Sequence, residues 1–214
     1  MRIDLVRHGA CLDEAFLRGQ SPAELTALGK EQMKAVFASI SVPERVVVSS
    51  AKRCLEPVAS FYQHHESLDI QIWTDFQERC FGVWDGLSYE EVKHLDNIGL
   101  QGYLESPFTY NIKQSESLVA FEKRVLIAFE RLLEQATSES IHHILVVTHG
   151  GVMRVLLKHI LGLNNEALFK FEIGFAARMT LESFVLECEF IPPPSFLNSH
   201  FIKLVELIQS HPTQ

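Results

Sequence analysis

The sequence predicts an α/β fold, a three-layer sandwich in which a mostly parallel central sheet carries helices on both faces. Short apolar runs alternate with segments of helical periodicity along the chain. Two of the apolar runs end in a histidine followed by a glycine, at residues 8–9 and 149–150. Because ligands bind beyond the carboxyl ends of strands in open α/β sheets, we expect both histidines at one site on that edge.

Length and composition are typical of one globular domain. The chain has 214 residues, of which 47% are hydrophobic and 21% are charged, so it is long enough to bury a sizeable core. We expect a single domain over residues 1–214, with a cap-like segment at about 76–117. The net charge of −8 argues against nucleic acid and anionic membranes as partners.

Targeting and redox features favour the cytoplasm. None of the apolar runs reaches membrane-spanning length, and the N-terminal residues enter a strand without a signal-peptide pattern. The four cysteines are widely spaced and form no C-x-x-C pair. We therefore expect a reduced, cytoplasmic protein that is a monomer or a homodimer.

Two strands and two helices are predicted in the first third of the chain. After the first strand and its His-Gly turn, Thr26 is placed to cap a helix, and residues 46–50 form a buried strand. Ser49 or Ser50 is expected to cap the next helix, which Pro57 kinks or breaks. The apolar stripe of the first helix consists of Met33, Val36, Phe37 and Ile40.

An edge strand and a short helix are predicted in the middle of the chain. Apolar residues alternate over residues 68–74, as in a half-buried strand, and an aromatic, glycine-rich loop follows at 75–86. Ser88 and Glu91 form a capping box at the start of a short helix. Residues 97–114 show only weak periodicity.

The last part of the chain alternates again between helix and strand. Residues 115–117 open a long helix, and the second His-Gly strand is followed by a helical pattern through Leu161. Residues 170–174 and 177–189 are predicted strands. A final helix is predicted from the apolar stripe of Phe201, Leu204, Val205 and Ile208.

The two strand-end histidines, with the arginines near them, outline a site for an anion that is attacked by a nitrogen nucleophile. The sequence has no cluster of carboxylates suited to a hard metal ion. The adjacent pairs His64-His65 and His142-His143 lie in polar connecting stretches without metal-ligand spacing. We therefore expect neither a metal nor another cofactor.

Four blocks of residues occur in an order that resembles one known family. They are Arg7-His8-Gly9, Ser49 with Arg53-Cys54, Glu78 ahead of Phe81-Gly82-x-Trp84-Asp85-Gly86, and Thr148-His149-Gly150-Gly151. Together they resemble the histidine phosphatase superfamily, also called the phosphoglycerate mutase-like family, from residue 3 to about residue 177. Within it they are most similar to the alpha-ribazole phosphatases of the cobalamin pathway. The chain departs from the family pattern at Ala10, at Ser50 and at residues 113–115.

The resemblance implies a metal-independent phosphoric monoester hydrolase that acts on a small phosphorylated metabolite. His8 would be the nucleophile and form a phosphohistidine, with a backbone carbonyl on its other ring nitrogen to fix the tautomer. Arg7, Arg53 and the N–H of Gly150 would bind the phosphoryl group. His149 would stabilise negative charge on that group rather than attack it.

The reaction also needs a proton donor, and Glu78 is the candidate. It would protonate the leaving oxygen and later activate water. Asp85 is the alternative for this role. The candidates for contacts with the substrate are Arg18, Ser21, Trp84 and Glu116. For Glu116, a place at the start of a helix is the more ordinary explanation.

The substrate is predicted from aromatic residues around the expected pocket. Phe81, Trp84, Tyr103, Phe108 and Tyr110 could form an apolar wall that suits a nucleoside-like ester, or each ring could pack the cap against the core. With the resemblance, the wall predicts dephosphorylation of alpha-ribazole 5′-phosphate in cobalamin biosynthesis. The alternatives are a broad-specificity phosphatase, a cofactor-dependent phosphoglycerate mutase, against which the lack of a long insertion argues, and a phosphate-binding module without catalysis.

Overall fold

The computed structural model describes residues 1–12, 15, 17–185 and 200–209. Its strands are β1 (Arg2–Arg7), β2 (Arg45–Ser49), β3 (Asp69–Trp73), β4 (His143–Thr148), β5 (Arg178–Val185) and β6 (His200–Ile208). Its α-helices are α1 (Ala27–Ala38), α2 (Lys52–Phe61), α3 (Tyr89–Leu95), α4 (Asn97–Glu105), α5 (Leu118–Ser138) and α6 (Gly150–Ile160). Short 3₁₀ turns lie at Thr74–Phe76, Gly82–Trp84 and Asn165–Phe169.

The strands form one sheet in the order β3-β2-β4-β1-β5-β6. The first four of these are parallel to one another, and β5 and β6 extend the sheet in antiparallel pairing. The mostly parallel sheet and the edge position of β3 are thus confirmed. Arg7 pairs with Thr148 in the register of β1 with β4. The next residues, His8 and His149, therefore leave neighbouring strands at the same edge of the sheet.

Helices cover both faces of the sheet, which confirms the three-layer sandwich. On one face, Leu132 of α5 and Leu156 of α6 pack in a buried cluster with Val146 of β4. On the other face, α1 and α2 pack on β2 and β4 through Met33, Phe37, Val46, Val58 and Leu145. None of the described helices combines the length and the hydrophobicity that crossing a membrane requires.

A third, smaller cluster lies in the segment predicted to be a cap. The buried ring of Trp84 stacks on Tyr110 and meets Tyr103 edge to face, with centroids 5.9 and 5.7 Å apart. Val92 of α3 and Leu100 of α4 complete the cluster. Trp84 and Tyr110, two rings of the predicted wall, therefore pack inside this segment. The cap within a single domain stays a prediction.

Most predicted helix starts are confirmed. Thr26 and Ser88 each accept a hydrogen bond from the first turn of α1 and α3, and Ser88 forms the expected capping box. The helix expected from residues 115–117 begins with Ser117 as its N-cap. The segment of weak periodicity contains α4, whose nine residues follow a side-chain cap by Asp96.

The predicted start of α2 is wrong. Its N-cap is Ala51, without a side-chain hydrogen bond. Ser49 Oγ lies instead 2.8 Å from Nε2 of His149, and Ser50 Oγ is buried without a hydrogen-bond partner among the described residues. α2 also runs on through Pro57 unbroken, because packing of its buried face on the sheet outweighs one lost backbone hydrogen bond.

The predicted strand at residues 170–174 is also wrong. This segment has irregular backbone, and the carbonyl of Ile173 accepts a hydrogen bond from Arg7 at the end of β1. The predicted strand 177–189 is confirmed by β5 as far as Val185, and its remaining residues lie outside the described part of the chain.

The predicted C-terminal helix is a strand, β6, which pairs along β5. A register shift opposite Thr180 and Leu181 leaves Val205 as an extra residue in β6. Such a bulge moves the following residues to the other face of the strand. Apolar residues on two faces therefore occur at a spacing that resembles a helical stripe.

Candidate active site

His8 follows β1 and lies in the wall of a cavity, only 4% exposed. Its Nδ1 is 2.9 Å from the carbonyl oxygen of Gly9. Because a carbonyl oxygen only accepts, Nδ1 carries the proton and Nε2 keeps its lone pair. Burial and the positive charges of Arg53 and Arg7 hold the pKa of His8 well below its usual value of 6.5. His8 is therefore a neutral imidazole with a nucleophilic nitrogen.

His149 is fully buried as the N-cap residue of α6, and its ring centroid lies 5.3 Å from that of His8. Its Nδ1 is 3.2 Å from Nη2 of Arg53, and its Nε2 is 2.8 Å from Ser49 Oγ. A guanidinium only donates, so Nδ1 accepts and Nε2 donates to the hydroxyl. Burial, followed by the charge of Arg53, lowers the pKa of His149 well below 6.5, and the ring is neutral.

Arg53 lies in the first turn of α2 with 1% of its surface exposed. Its Nη1 and Nη2 donate to the carbonyls of Ser21 and Gly19, at 3.1 and 2.5 Å. Nε is buried and has no hydrogen-bond partner in the described part of the chain.

Arg7 ends β1 and lies 4.1 Å from the ring centroid of Phe175, with Nη1 donating to the carbonyl of Ile173. Burial lowers the pKa of Arg7 to about 10. Its Nε is, like that of Arg53, buried without a partner among the described residues. A buried donor left without an acceptor costs about 1–3 kcal/mol. Two such donors beside His8 indicate a site built for an anion.

Glu78 approaches the first turn of α6. Its Oε1 accepts from the backbone N–H of Arg79 at 2.9 Å, and its Oε2 accepts from that of Gly151 at 2.8 Å. A Cβ atom on Gly151 would lie 2.1 Å from Oε1. Only glycine at this position therefore lets the carboxylate come so close to the helix N-terminus.

A cavity of about 630 Å³ opens beside these groups. Its polar wall consists of Arg7, His8, Arg18, Glu78, Arg79, Gly150, Gly151 and Arg154. Its apolar wall includes Leu17, Phe81, Tyr103, Leu118, Phe121, Val155, Leu168 and Phe175. Arg53 and His149 lie directly behind the polar wall. The structure thus brings together all the residues predicted to act on a phosphoryl group.

A family model of the histidine phosphatase superfamily (branch 1) matches residues 3–185. The chain belongs to the histidine phosphatase superfamily. This membership confirms the family predicted from the four blocks of residues.

Relatives of this chain carry several names. An adenosylcobalamin/alpha-ribazole phosphatase of Escherichia coli K12 is 27% identical over 177 residues, which are 81% of this chain and 85% of that protein. A broad-specificity phosphatase of Saccharomyces cerevisiae is 26% identical, with 78% and 73% of the two chains covered. The crystal structure of the alpha-ribazole phosphatase from Shigella flexneri matches with a TM-score of 0.76 at 22% identity, over 87% of this chain and 92% of that one. At this identity the structural likeness shows a shared fold.

The predicted substrate-contact residues of the histidine phosphatase lie in different places. Arg18 lines the cavity. Ser21 accepts a hydrogen bond from Arg53 through its carbonyl group. Trp84 is 1% exposed inside the third cluster, and Glu116 forms a two-pronged ion pair with Arg124 at 2.7 and 2.9 Å. The structure therefore does not bring Trp84 or Glu116 to the cavity wall.

Asp85 is placed as an anchor for a loop. Its carboxylate accepts hydrogen bonds from the backbone N–H groups of Gly19, Gln20, Ser21 and Phe81. Burial raises the pKa of Asp85, but these bonds outweigh it and hold the pKa below the usual value. The loop that Asp85 holds supplies the two carbonyls bonded to Arg53. Glu78 is thus the better placed of the two candidate acids.

Among the side chains of the cavity wall that were not predicted as site residues, Arg154, Arg79 and Phe175 lie beside groups of the predicted site. Arg154 lies one helical turn after Gly150, and its Nη1 would be 3.5 Å from a Cβ on that glycine. The spacing of four residues on one helix face was the available signal for Arg154. Arg79 directly follows Glu78, and this position next to a candidate residue was the available signal for it. Phe175 lies in a segment without periodicity, which carried no signal.

The two buried histidines should make the histidine phosphatase less stable in acid. Because both pKa values are lowered in the folded protein, the unfolded chain binds protons first as the pH falls through 6.5. The stability is fully present above that pH and is lost below it. From about pH 7.5 to about pH 5.5, each histidine should lower the free energy of unfolding by about 1.4 kcal/mol.

Urea unfolding at the two pH values measures this loss. The His8→Gln variant should lose about 1.4 kcal/mol less than the wild type over the same interval, since one titrating group is gone. An equal loss in the two proteins would contradict the lowered pKa of His8.

Proposed function

We propose that the protein is a phosphomonoesterase that works through a phosphohistidine on His8, without a metal or another cofactor. The proposal rests mainly on one observation: a neutral imidazole with its nucleophilic Nε2 lies beside two buried arginine Nε–H groups that have no partner among the described residues. Membership of the histidine phosphatase superfamily supports the same reaction class.

In the first step, His8 Nε2 attacks phosphorus and the bond from phosphorus to the ester oxygen breaks. Glu78 gives its proton to that oxygen, so the alcohol leaves and an N-phosphohistidine remains. In the second step, water gives a proton to Glu78 and attacks phosphorus, and the P–N bond breaks. Inorganic phosphate leaves, and both His8 and Glu78 return to their starting states.

Charge on the phosphoryl oxygens is neutralised by Arg7, by Arg53 and by the N–H of Gly150 at the start of α6. His149 can donate to the same group when its proton lies on Nδ1. This tautomer requires Nη2 of Arg53 to turn from His149 to the phosphoryl group. It also requires the hydroxyl of Ser49 to donate to Nε2, which a hydroxyl group can do.

The proposed substrate is alpha-ribazole 5′-phosphate, an intermediate of cobalamin biosynthesis. The cavity of about 630 Å³ lies within the usual range for sites of small molecules. Phe81, Tyr103 and Phe175 contribute aromatic rings to its wall, which suit a flat aromatic base. The Escherichia coli relative named for this activity supports the same substrate.

A second candidate is a phosphatase of broader specificity that prefers esters with another anionic group. Among the described residues, the cavity wall carries Arg18, Arg79 and Arg154 in addition to Arg7, with Glu78 as its one acidic side chain. A carboxylate or second phosphate on the substrate would pair with one of these guanidinium groups. Alpha-ribazole 5′-phosphate has no such group.

The test is a panel of esters assayed in EDTA: alpha-ribazole 5′-phosphate, phosphoserine, 3-phosphoglycerate and p-nitrophenyl phosphate. We expect turnover of all four, the highest kcat/KM for alpha-ribazole 5′-phosphate, and acid-labile, base-stable phosphate trapped on His8. Highest values for phosphoserine or 3-phosphoglycerate would favour the second candidate. Isomerisation of 3-phosphoglycerate with a bisphosphate primer would identify a mutase. Loss of activity in EDTA would exclude the metal-free mechanism, and no turnover at all would leave a binding module.

A further inference from the structure

A single guanidinium group, that of Arg124 on α5, holds the chain segment that carries Glu78. Its Nε and Nη2 donate to the two carboxylate oxygens of Glu116, at 2.9 and 2.7 Å. Nη1 donates to the carbonyls of Asp75 and Gln77, at 2.7 and 3.1 Å. Nη2 also reaches the carbonyl of Glu78 at 3.5 Å. All five N–H donors of an arginine are thereby engaged.

The remaining carbonyl of this segment is held from the sheet. Thr148 Oγ1, at the end of β4, donates to the carbonyl of Phe76 at 2.8 Å. Four successive carbonyls, at residues 75–78, are therefore bonded by two side chains of the scaffold. The carboxylate of Glu78 is held separately, from the other side, by the backbone N–H of Gly151.

The carboxylate of Glu116 compensates the positive charge of Arg124. The side chains of Arg124 and Glu116 are only 21% and 18% exposed. A cation so far from water needs an opposite charge with good hydrogen-bond geometry, which the two-pronged pair supplies. Arg124 is not part of the cavity wall among the described residues. Its guanidinium also lies 5.1 Å from the ring centroid of Phe121 in the cavity wall, and burial, followed by charges that include that of Arg124, lowers the pKa of His149. Neither interaction depends on the leaving group, so a loss that depends on the leaving group identifies the segment that Arg124 holds.

We propose that Arg124, paired with Glu116, is a positioning residue that keeps Glu78 within proton-transfer distance of the leaving-group oxygen. The inference rests on the role of general acid proposed above for Glu78. A general acid acts only within hydrogen-bond reach of the oxygen that it protonates, so a loosened segment weakens proton transfer first. Lysine cannot replace the arginine, because its ammonium lacks the planar fork that bridges a carboxylate and several carbonyls.

The test uses the dependence of kcat/KM on the leaving group. This quantity covers the steps up to phosphorylation of His8 and is independent of the later hydrolysis. Nitrophenolate leaves without a proton, whereas the alkoxide of glycerol 2-phosphate needs one. For Arg124→Lys we expect kcat/KM to fall about 10- to 100-fold with glycerol 2-phosphate and less than about threefold with p-nitrophenyl phosphate.

Two further variants calibrate the result. Glu78→Gln should show the same selective loss of kcat/KM, but a larger one, of about 10²- to 10⁴-fold with glycerol 2-phosphate. Adding Arg124→Lys to Glu78→Gln should increase the selectivity no further, since the two act as one unit. The control is Arg131→Lys, in which an exposed arginine of the same helix loses its bond to the side chain of Asp75, and the ratio of the two substrates should not change.

The outcomes separate the inference from the proposed function. An equal loss with both substrates in Arg124→Lys, or no loss at all, overturns the positioning role. If Glu78→Gln itself shows no selectivity, the proposed acid is wrong. Should Arg124→Lys not fold, Glu116→Gln serves instead. Glutamine keeps the shape of the glutamate side chain and removes its charge. We expect kcat/KM with glycerol 2-phosphate to fall about three- to tenfold relative to that with p-nitrophenyl phosphate. A loss in Glu116→Gln that is equal for both substrates overturns the inference in the same way.

Discussion

Replacing His8 with glutamine should abolish turnover, with a loss in kcat/KM on the order of 10⁴-fold or more. Glutamine keeps an N–H that can donate to the carbonyl of Gly9, as Nδ1 of His8 does. It has no basic nitrogen to attack phosphorus. His149 cannot take over, because Ser49 engages its Nε2, and its Nδ1 either accepts from Arg53 or carries the proton when Arg53 turns to the phosphoryl group.

The measurement is kcat/KM with p-nitrophenyl phosphate, together with acid–base trapping of the labelled enzyme. The variant should carry no acid-labile phosphate. The matched control is His64→Gln, at an exposed histidine outside the cavity, which should keep wild-type activity. More than about 1% of wild-type activity in His8→Gln would show that another group is the nucleophile.

Replacing Arg53 with lysine should lower kcat/KM by about 10²- to 10³-fold although the positive charge is kept. The guanidinium of Arg53 donates to the carbonyls of Ser21 and Gly19 and to His149 while its Nε–H has no partner among the described residues. An ammonium offers three donors from one atom and cannot serve these directions together. Losing one preorganised donor at a charged transition state typically costs about 2.7–4 kcal/mol.

Binding of vanadate or inorganic phosphate gives an independent measure. Both should bind more weakly to Arg53→Lys, since the anion loses the buried Nε–H donor. The control is Lys52→Gln, one residue earlier in α2, whose side chain is half exposed and pairs with Glu24 on the surface. Unchanged anion affinity in Arg53→Lys, with an intact fold, would contradict the assignment of Arg53 to the phosphate site.

The core of the site was predictable because it depends on local features of the chain. His8 and His149 each end an apolar strand and precede a glycine, and parallel strands open their ligand sites at one edge. Arg53 opens a helix, where backbone N–H groups favour an anion. The structure places these three residues where the local features of the sequence predict them.

What could not be predicted depends on contacts between distant segments. Arg124 donates to the carbonyl of Glu78, although the two residues are 46 positions apart in the sequence. No spacing or periodicity of the sequence predicts such a bond. Trp84 lies in a motif next to the site, yet its ring completes the third cluster. The helical spacing read in β6 arises from a bulge that exists only when β5 is paired beside it.

The position of β1 inside the sheet has a consequence for synthesis of the protein. β1 leaves the ribosome well before its two partners, β4, which begins at His143, and β5, which begins at Arg178. This apolar strand therefore lacks its native partners while the more than one hundred residues before β4 are synthesised, a state in which nascent chains expose apolar surface. His8 meets His149, which follows β4, only when β4 pairs with β1. The two histidines of the candidate site therefore come together only after most of this sequence has been synthesised.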